Sequence, residues 1–403
     1  MPSQTVTIRG HIIDSLILPK ILDEIMDASG SFKIEHIRIG QKKTDTSTAQ
    51  VKVSANTAPH LANIIRRISK IGAVPVAEED AKLEPAPRHG VFPEDFYCTT
   101  NLITWVHFEG RWIPVRNIEM DCGIVIQKGK AWCTPVGKVR RGERVVCGHA
   151  GVKVIPLERS RKSETFQFMT SSISSEKPKG RIIRGLAREI REVRRRGGKI
   201  LVVAGPAVVH TGAGRYLEQM IRMGYVQVLF AGNGLATHDM EYALFGTSLG
   251  VNLDKGEPEK YGHDHHMRAI NAIRAAGGIR RAVRKGLLKK GIMHACVQKG
   301  VQVVLAGSVR DDGPLPDVIT DVIEAQDAMR KKIKGVSLAL MIASTLHSIA
   351  TGNMLPATVR TICVDINPAV VTKVADRGTF QILGLVTDTE SFLRELCHAL
   401  NRR

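Results

Sequence analysis

The chain has 403 residues, of which 43% are hydrophobic, with 37 Gly and 17 Pro, the composition of a folded globular protein rather than a disordered or fibrous one. No apolar run approaches the ~20 residues of a membrane-spanning helix and no hydrophobic leader opens the sequence, so neither a membrane protein nor a secreted one is expected. Seven cysteines without a C-x-x-C pair argue against a disulfide framework or structural zinc and predict a reducing, cytoplasmic location.

The net charge of +19 would suit nucleic-acid binding, attraction of anionic ligands or simply a basic proteome. The densest basic cluster lies at 177–199, where Arg184, Arg188, Arg191 and Arg195 fall on one helical face and apolar residues on the other. This pattern predicts an amphipathic surface helix. Aromatic residues are only 4% of the chain and none lies in the cluster, so stacking platforms for single strands are absent and nucleic acid is not expected as a partner.

Residues 5–77 combine period-two alternation with the i, i+3, i+4, i+7 spacing of helices. The predicted strands are 5–13, 32–40, 49–55 and 73–77, and the predicted helices are 18–29 and 58–71. The order β-α-β-β-α-β is typical of the ferredoxin-like fold. We therefore expect an α+β domain over residues 1–80, to which the fold alone assigns no activity.

A connector rich in proline and charge at 78–90 predicts a domain boundary. Short apolar runs separated by glycine or charge then predict a small β-sandwich or barrel over 91–160. Two polar groups interrupt it, Thr99-Thr100-Asn101 and Met120-Asp121-Cys122. For each, a buried turn and a functional site are equally good explanations.

A Ser- and Lys-rich linker at 160–180 precedes a third region, 180–403, in which strand-like and helix-like segments alternate. Its predicted strands are 199–205, 225–232, 301–308, 335–344, 360–366 and 380–386. Nearly continuous apolar strands separated by helices predict a parallel sheet covered on both faces. The fold class is therefore α/β, with a Rossmann-like C-terminal domain preceded by the ferredoxin-like and β-rich domains.

Glycine and small polar residues follow the strands of this sheet, where ligands of open α/β sheets bind. We call the segment that follows each strand its exit. The most polar exit is AGNGLATHDMEYALFGTSLG (231–250), although a strand–turn–helix connection with capping residues would also explain it. Asp365 ends another strand, where a carboxylate can accept hydrogen bonds from both hydroxyls of an adenosine ribose. A carboxylate that only braces the turn is almost as good an explanation. Together the exits predict dinucleotide binding.

The sequence Gly262-His263-Asp264-His265-His266 resembles a metal-ligand cluster, but adjacent side chains at a helix start point in different directions. A solvent-exposed helix cap explains it better, and no metal is expected. The motifs H-E-x-x-H and the P-loop do not occur, which disfavours the commonest metallopeptidases and kinases.

Five segments of the third region resemble the archaeal ornithine cyclodeaminases and the C-terminal part of the cyanobacterial arginine dihydrolase–ornithine cyclodeaminase proteins. They are GPAVVHTGAG, AGNGLATHDMEYALFGTSLG, SVRDDGPLPDV, STLHSIATGNMLP and VDINPAVV. The N-terminal region, with DFYCTTN and IEMDC, resembles the conserved region of lysine-oxoglutarate reductase/saccharopine dehydrogenase bifunctional enzymes. A more distant likeness to the NAD-binding fold of deoxyhypusine synthase is an analogy of fold only.

The resemblance implies an NAD-dependent lyase that converts L-ornithine to L-proline and ammonia. Hydride passes from the substrate Cα to nicotinamide, the δ-amine attacks the resulting imine, ammonia leaves, and the hydride returns, so no net redox change occurs. Such a site needs a dry pocket, a clamp for the substrate carboxylate and a base for the amine. A homo-oligomer is also expected.

At matching positions the resemblance assigns NAD binding to nine residues: Asn233, Gly234, Asp312, Ser344, Thr345, Leu346, His347, Asp365 and Asp388. The family has alanine at the position of Gly234, a change that a backbone contact would survive. Chemistry favours Asp239, His238 and Asp121 for proton transfer, with Asn101 and Arg310 orienting the substrate. Alternatively, Asp311 pairs with Arg310 in a structural role.

Two other functions fit the same sequence. One is an NAD-dependent amino-acid dehydrogenase or saccharopine-type oxidoreductase that uses the same cofactor site. The other is a noncatalytic regulator that senses NAD or an amino acid, with the basic helix available for nucleic acid. Neither alternative is excluded by the residue pattern.

Overall fold

The computed structural model describes residues 1–13, 15–41, 45–75, 79–155, 173–174, 179–253, 256–257, 262–311, 313–376 and 382–401. The chain forms two compact units. The first comprises Met1–Gln167 and Asn353–Thr358, and the second comprises Phe168–Gly352 and Val359–Arg403. The division into three domains at 80, 91, 160 and 180 stays a prediction.

The N-terminal part of the first unit has the predicted β-α-β-β-α-β order. Its elements are β1 (Ser3–Gly10), α1 (Ile17–Asp27), β2 (Ser31–Arg38), β3 (Ser47–Ser54), α2 (Ala58–Ser69) and β4 (Val74–Pro75). The four strands form one antiparallel sheet in the order β2-β3-β1-β4, which confirms the ferredoxin-like plan. Alternate residues of β1 and β3, such as Ile8 and Val51, pack against Ile21 of α1 and Ile64 of α2 in a dry core.

The rest of the first unit is one mixed sheet of seven strands. They are β5 (Lys82–Pro85), β6 (Ile103–Phe108), β7 (Arg111–Arg116), β8 (Gly123–Gln127), β9 (Lys130–Thr134), β10 (Arg144–Cys147) and β11 (Val152–Ile155). Their order is β11-β6-β7-β9-β8-β10-β5. The Ala81 N–H, just before the edge strand β5, donates to the carbonyl of His107 in β6 (2.9 Å). This bond links the edge strand β5 to the strand next to the opposite edge, and the choice between barrel and sandwich stays a prediction.

The connector predicted at 78–90 is wrong in part, because β5 lies inside it and pairs with β10 along four residues. Its sequence, Lys-Leu-Glu-Pro, contains two charged residues and a proline and therefore lacks the apolar pattern that predicts a strand. Proline is tolerated there because β5 is an edge strand, where one side of the backbone needs no partner.

The second unit contains the remaining elements. They are β12 (Ile173–Ser174), α3 (Lys179–Arg195), β13 (Lys199–Ala204), α4 (Ala207–His210), α5 (Gly214–Arg222), β14 (Val228–Gly232), α6 (Asn233–Phe245), β15 (Thr247–Ser248), β16 (Val251–Asn252), α7 (His265–Ala276), α8 (Ile279–Arg284), α9 (Ile292–Lys299), β17 (Gln302–Ala306), β18 (Val318–Ile319), α10 (Val322–Lys332), β19 (Val336–Ile342), α11 (Leu346–Met354), β20 (Arg360–Asp365), α12 (Pro368–Asp376), β21 (Ile382–Val386) and α13 (Thr389–Asn401). Apart from the β15–β16 pair, the strands form one sheet in the order β12-β21-β20-β19-β13-β14-β17-β18. Every pairing in it is parallel. The six predicted strands are confirmed as β13, β14, β17, β19, β20 and β21.

These six strands follow the Rossmann order 3-2-1-4-5-6. The chain moves outward from β13 through β14 to β17, then returns to the other side of β13 with β19. The strand order therefore reverses between β13 and β19, the place where open α/β sheets bind ligands. Here a Cβ on Gly205, just after β13, would lie 1.7 Å from the carbonyl oxygen of Ala343, just after β19.

Helix α3 is amphipathic, as predicted. Ile183, Leu186 and Ile190 are buried in the second unit. Two of its arginines are only partly exposed: the guanidinium of Arg191 donates to the carbonyl of Ala399, and that of Arg194 donates to the carbonyls of Gly224 and Gly198, each at 3.0 Å. Part of the basic cluster thus caps backbone carbonyls. Among the helices described, none is both long enough and apolar enough to cross a bilayer.

Gly205 provides a test of the strand reversal. Gly205→Ala forces a methyl group into the Ala343 carbonyl, which cannot move without shifting β19, so we expect a loss of about 3 kcal/mol or more and a fall in Tm of roughly 6–12 °C. Gly234→Ala is the matched control, because its Cβ would meet only Pro206, at 3.8 Å, and alanine is the better helix former. Equal Tm values for the two variants, measured by calorimetry, would contradict the close approach of the two strand ends.

Candidate functional site

The residues assigned to a dinucleotide follow the carboxyl ends of strands in one sheet. Asn233 and Gly234 begin α6 after β14, Ser344 to His347 follow β19, Asp365 ends β20, and Asp388 follows β21. Asp312, which follows β17, lies outside the described residues. Parallel strands bring these exits to one edge of the sheet. The individual contacts of these residues with NAD stay predictions.

Asn233 already has a partner within the protein. It is buried, and its Oδ1 accepts a hydrogen bond from the Leu315 N–H (3.0 Å). This bond ties the loop after β17 to the start of α6. The amide Nδ2 of Asn233 and the backbone of Gly234 are then the groups with which this exit can contact a ligand.

His347 lies against the end of β14. A Cβ on Gly232 would be 3.2 Å from the His347 Cε1, so glycine allows the imidazole to approach the strand. Burial lowers the pKa of His347, against a smaller opposite effect of Asp311, and the ring is therefore neutral at pH 7. A neutral imidazole at this position can both donate and accept a hydrogen bond.

The charged loop after β17 does not contain the structural pair considered for Arg310. Asp311 instead accepts a hydrogen bond from the Ser308 N–H (2.9 Å), and the Arg310 N–H donates to Ser308 Oγ (3.1 Å). The side chain of Arg310 is exposed. Its role in orienting substrate stays a prediction.

Asp365 and Asp388 each use one carboxylate oxygen to accept a hydrogen bond from the backbone. The Oδ1 of Asp365 accepts from the Asn367 N–H, and that of Asp388 from the Ser391 N–H, both at 2.8 Å. Asn367 in turn accepts from the Ala369 N–H (2.9 Å) and caps α12. Asp365 therefore does brace its turn through Oδ1, and its contact with a ribose stays a prediction.

The edge also carries aliphatic side chains that are unusually exposed. Leu346 after β19 and Ile366 after β20 are 79% and 71% exposed, and Val309 after β17 is fully exposed. Large exposed apolar groups next to polar loops are typical of a ligand-binding surface. In the same unit, the buried hydroxyls of Thr237, Ser348 and Thr351 have no hydrogen-bond partner among the described residues. Flat rings with polar substituents would fit such an edge.

A second feature of this unit is a network centred on the buried carboxylate of Glu241 in α6. It accepts hydrogen bonds from Thr247 Oγ1 (2.9 Å), from the N–H groups of Leu249 (3.2 Å) and Gly250 (3.0 Å), and from His238 Nδ1 (2.8 Å). Burial raises the pKa of Glu241, but the hydrogen bonds outweigh it and the net pKa is lowered. The carboxylate is therefore ionised at pH 7.

This carboxylate fixes the proton on His238. Because an ionised carboxylate only accepts, His238 Nδ1 donates to it, and in the tautomer with this single ring proton Nε2 is an acceptor. The ring of His210 lies 4.5 Å from that of His238 and bonds to Ser248 Oγ (2.7 Å). Burial, helped by His238, lowers the pKa of His210 to about 4. The arrangement resembles the base and orienting carboxylate of acid–base catalysts.

One residue of the GHDHH segment, His265, belongs to the surroundings of this network, so the interpretation of the segment as a solvent-exposed cap is wrong in part. His265 Nδ1 lies 2.9 Å from Thr247 Oγ1 and its ring stacks on Phe245, while Asp264 pairs with Arg268 (2.8 Å). The side chain of His263 lies outside the described residues. Within the described part of the chain, no group of three His, Cys, Asp or Glu side chains has metal-binding geometry.

Asp239, the neighbour of His238, has a different environment. It is buried, and its two oxygens accept from the N–H groups of Ile292 (2.7 Å) and Met293 (2.8 Å) at the start of α9. Burial raises its pKa to about 7, against the effect of these two bonds. Such a pKa would suit proton transfer, but both oxygens are occupied by the helix start. The geometry favours a structural role, and its catalytic role stays a prediction.

In the first unit, the two polar groups singled out in the sequence contact each other. Thr99 N–H donates to the Cys122 carbonyl (2.8 Å), Asp121 N–H to the Thr99 carbonyl (3.1 Å), and Cys122 N–H to Thr99 Oγ1 (3.0 Å). Asp121 has a positive φ of 62° and an exposed side chain. Asn101 is only 1% exposed, and neither polar atom of its side chain has a partner among the described residues.

An unsatisfied buried amide costs free energy unless a ligand or water completes it. Asn101 is therefore the strongest indication of a ligand site in the first unit. The Asn101 carbonyl is satisfied separately, by the Ala357 N–H (2.9 Å), and the Met120 N–H donates to the Asn353 carbonyl (3.0 Å). The segment Asn353–Thr358 thus holds both polar groups in place.

Sequence reasoning missed the roles of Glu241, His210 and Ser248. Glu241 lies three residues after His238 on α6, a spacing at which helical side chains meet, so this pair could have been found. The contact of His210 with Ser248 joins positions 38 residues apart and has no local signal in the sequence.

Three family models match the chain. Residues 184–396 match the model described as arginine dihydrolase ArgZ-like, C-terminal, Rossmann fold, and 103–183 match the first region of the same C-terminal part. Residues 3–102 match the LOR/SDH bifunctional enzyme conserved region. These matches confirm the resemblance identified from the sequence.

Relatives and solved structures agree. An ornithine cyclodeaminase of Methanopyrus kandleri is 56% identical over 99% of this chain and 97% of its own length. The apo structure of ArgZ, a cyanobacterial arginine dihydrolase, is 38% identical with a TM-score of 0.87, and a ternary complex of AgrE with ornithine and NAD+ is 41% identical with a TM-score of 0.54. This chain is fully covered in both comparisons and spans 58% of each cyanobacterial chain. The chain therefore belongs to the family of the archaeal ornithine cyclodeaminases, which includes the C-terminal part of the ArgZ-like proteins.

Proposed function

We propose that the protein is an NAD-dependent ornithine cyclodeaminase, which converts L-ornithine to L-proline and ammonia. The observation that carries this proposal is the set of polar strand exits around the reversal in the sheet of the second unit. The proposal is supported by the archaeal relative named for this activity and by the AgrE relative solved with ornithine and NAD+.

The strand exits of the second unit suit NAD. The second carboxylate oxygen of Asp365 would accept from the adenosine ribose, and the exposed Ile366 beside it would pack on the adenine ring. His347 would add a neutral hydrogen-bonding group at the end of β14. The other proposed NAD contacts are Asn233, Gly234, Asp312, Ser344, Thr345, Leu346 and Asp388. NAD, when bound, supplies a hydride acceptor that returns the same hydride.

We assign the proton transfer from the substrate amine to His238. Its Nε2 is an acceptor, so it can take a proton from a substrate ammonium and make the amine nucleophilic. Glu241 would hold the ring in this tautomer and stabilise the imidazolium that forms. Because its carboxylate is fully buried and has four donors, it can do so without reorganisation during the reaction.

We propose that substrate binding uses Asn101, whose buried amide can both donate to and accept from an amino acid. Asp121 and Arg310 are retained as proposed proton-transfer and carboxylate-binding groups, respectively. Their side chains are exposed. Asp239 is not part of this proposal.

The reaction itself is tested with purified protein, labelled L-ornithine and NAD in catalytic amount. We expect proline and ammonia in equal amounts, without accumulation of NADH, because the hydride is returned. Stoichiometric NADH would instead identify a dehydrogenase. No turnover together with salt-sensitive retention of RNA or DNA would support the regulator.

Asp365→Ala tests the cofactor site. Losing a charge-assisted hydrogen bond to ribose should weaken NAD binding about 10- to 100-fold, measured by calorimetry. Asp321→Ala is the control, because Asp321 caps α10 through the N–H groups of Ile323 and Glu324 and is not assigned to NAD. An unchanged Kd for Asp365→Ala would show that Asp365 only braces its turn.

His238→Gln tests the assignment of the base. We expect kcat to fall about 100- to 10,000-fold, with Tm changed little. Asp239→Asn should instead lower the free energy of unfolding by about 1–3 kcal/mol, because the side-chain NH2 group that replaces one carboxylate oxygen would face a backbone N–H. It should lower kcat less than about tenfold. The reverse pattern, with kcat lost in Asp239→Asn and kept in His238→Gln, would move the base to Asp239.

A further inference from the structure

The first unit contains a cavity of about 620 Å³. One wall is formed by α2 and β4 of the ferredoxin-like part, and the other by Trp112 and the loop 148–151 of the seven-stranded sheet. None of the residues assigned to NAD, ornithine or proton transfer lines it. A cavity of this size is large enough for an amino acid.

The charges in this cavity are of both signs and are not neutralised by one another. Arg66 of α2, Glu79 and Asp95 all line it. The guanidinium of Arg66 donates to Asn63 Oδ1 (2.8 Å), and among the described residues neither carboxylate lies within 4.0 Å of a cationic group of Arg66. One cation and two anions therefore line the same space without forming an ion pair with one another.

Apart from the polar side chains of Gln4, Asn63 and His149, the remaining side chains of the lining are apolar. Pro59, Ala62, Ile65, Pro75 and Val152 contribute aliphatic surface, and the indole of Trp112 adds an aromatic face. The Trp112 ring is held by Lys153, whose Nζ lies 4.6 Å from its centroid, and by an edge contact with His107. A short methylene chain would pack on these groups while its charged ends reach Arg66 and the two carboxylates.

The loop 148–151 forms a fixed wall. Gly148 and Gly151 both have positive φ, 67° and 66°, and a Cβ on Gly151 would lie 2.4 Å from the Ala81 N, so only glycine fits there. Between them, His149 packs edge-on against Tyr97 (5.1 Å between centroids), and its buried Nδ1 has no hydrogen-bond partner among the described residues. Burial lowers the pKa of His149 to about 4, with Lys70 and Arg66 acting in the same direction, so the ring is neutral at pH 7.

We propose that this cavity is a second small-molecule site, which binds a basic L-α-amino acid. Such a molecule carries two cations, its α-ammonium and its side-chain group, and one α-carboxylate, joined by methylene groups. These charges complement Glu79, Asp95 and Arg66, and the methylene groups match the apolar lining. A neutral amino acid would leave one carboxylate without a partner.

The test is calorimetric titration of the full-length protein with three probes. L-arginine has all three charges, L-citrulline lacks the side-chain cation at nearly the same shape, and agmatine lacks the carboxylate. We expect saturable binding of L-arginine, and binding of each of the other two at least about tenfold weaker. Equal binding of L-citrulline, or no saturable heat with L-arginine, would overturn the proposal.

Variants locate the binding in the cavity. Arg66→Gln and Asp95→Asn should each weaken L-arginine binding about tenfold or more. The side chain of Asp95 lies at the surface and the Gly148 N–H bonds to its backbone carbonyl instead, so folding should be preserved, as Tm will show. Arg67→Gln is the control, because Arg67 is adjacent on α2 but pairs with Glu24 outside the cavity. Unchanged affinity in both cavity variants would place the site elsewhere and refute the proposal.

Turnover of ornithine separates this proposal from the proposed function. Both cavity variants are expected to keep the wild-type kcat at saturating ornithine, since neither residue is assigned to the reaction. Loss of L-arginine binding with turnover retained therefore supports the second site. Normal L-arginine binding in a protein that does not turn over ornithine would refute only the cyclodeaminase.

Discussion

The reversal of strand order between β13 and β19 is the constraint on which the second unit depends. The connections from β13 and from β19 run towards opposite sides of the sheet, so the segments that follow these two strands diverge. Where they begin to diverge, the two backbones nearly touch. Gly205 is required for this approach, since any side chain would overlap the Ala343 carbonyl. The polar residues that follow the six strands then lie at one edge of the sheet. They form a binding surface because they lie close together, although each alone is an ordinary polar residue.

The Glu241 network adds chemistry to this scaffold. A buried carboxylate is tolerated only when donors satisfy it, and here four donors from α6 and the turn after it do so. The same bonds that make Glu241 stable as an anion set the proton on His238. Stability of the local fold and the protonation state of the proposed base thus have one physical origin, whereas the adjacent Asp239 uses its charge to hold a helix.

Much of the fold could be predicted from the sequence because period and composition are local signals. The six apolar strands of the second unit and the β-α-β-β-α-β order of the first were visible in this way. The strand β5 was not, since charge and proline mask a short edge strand. For the site, glycine-broken strand ends located the edge, but hydrogen-bond partners distant in sequence decided what each side chain does. Asp239 and His238 are adjacent and equally polar, and only the contacts with α9 and Glu241 distinguish them.

The strand β5 has a consequence for dissecting the molecule. Residues 78–90 look like a linker, and a cut there would seem to release two independent pieces. In the structure, a chain that begins at residue 91 would lose β5 and the Ala81 bond to β6, and would leave the backbone of β10 open along one side. An open strand edge pairs readily with other chains. The boundary that is easiest to see in the sequence is therefore a poor place to divide the protein, and cutting there would favour aggregation over an isolated domain.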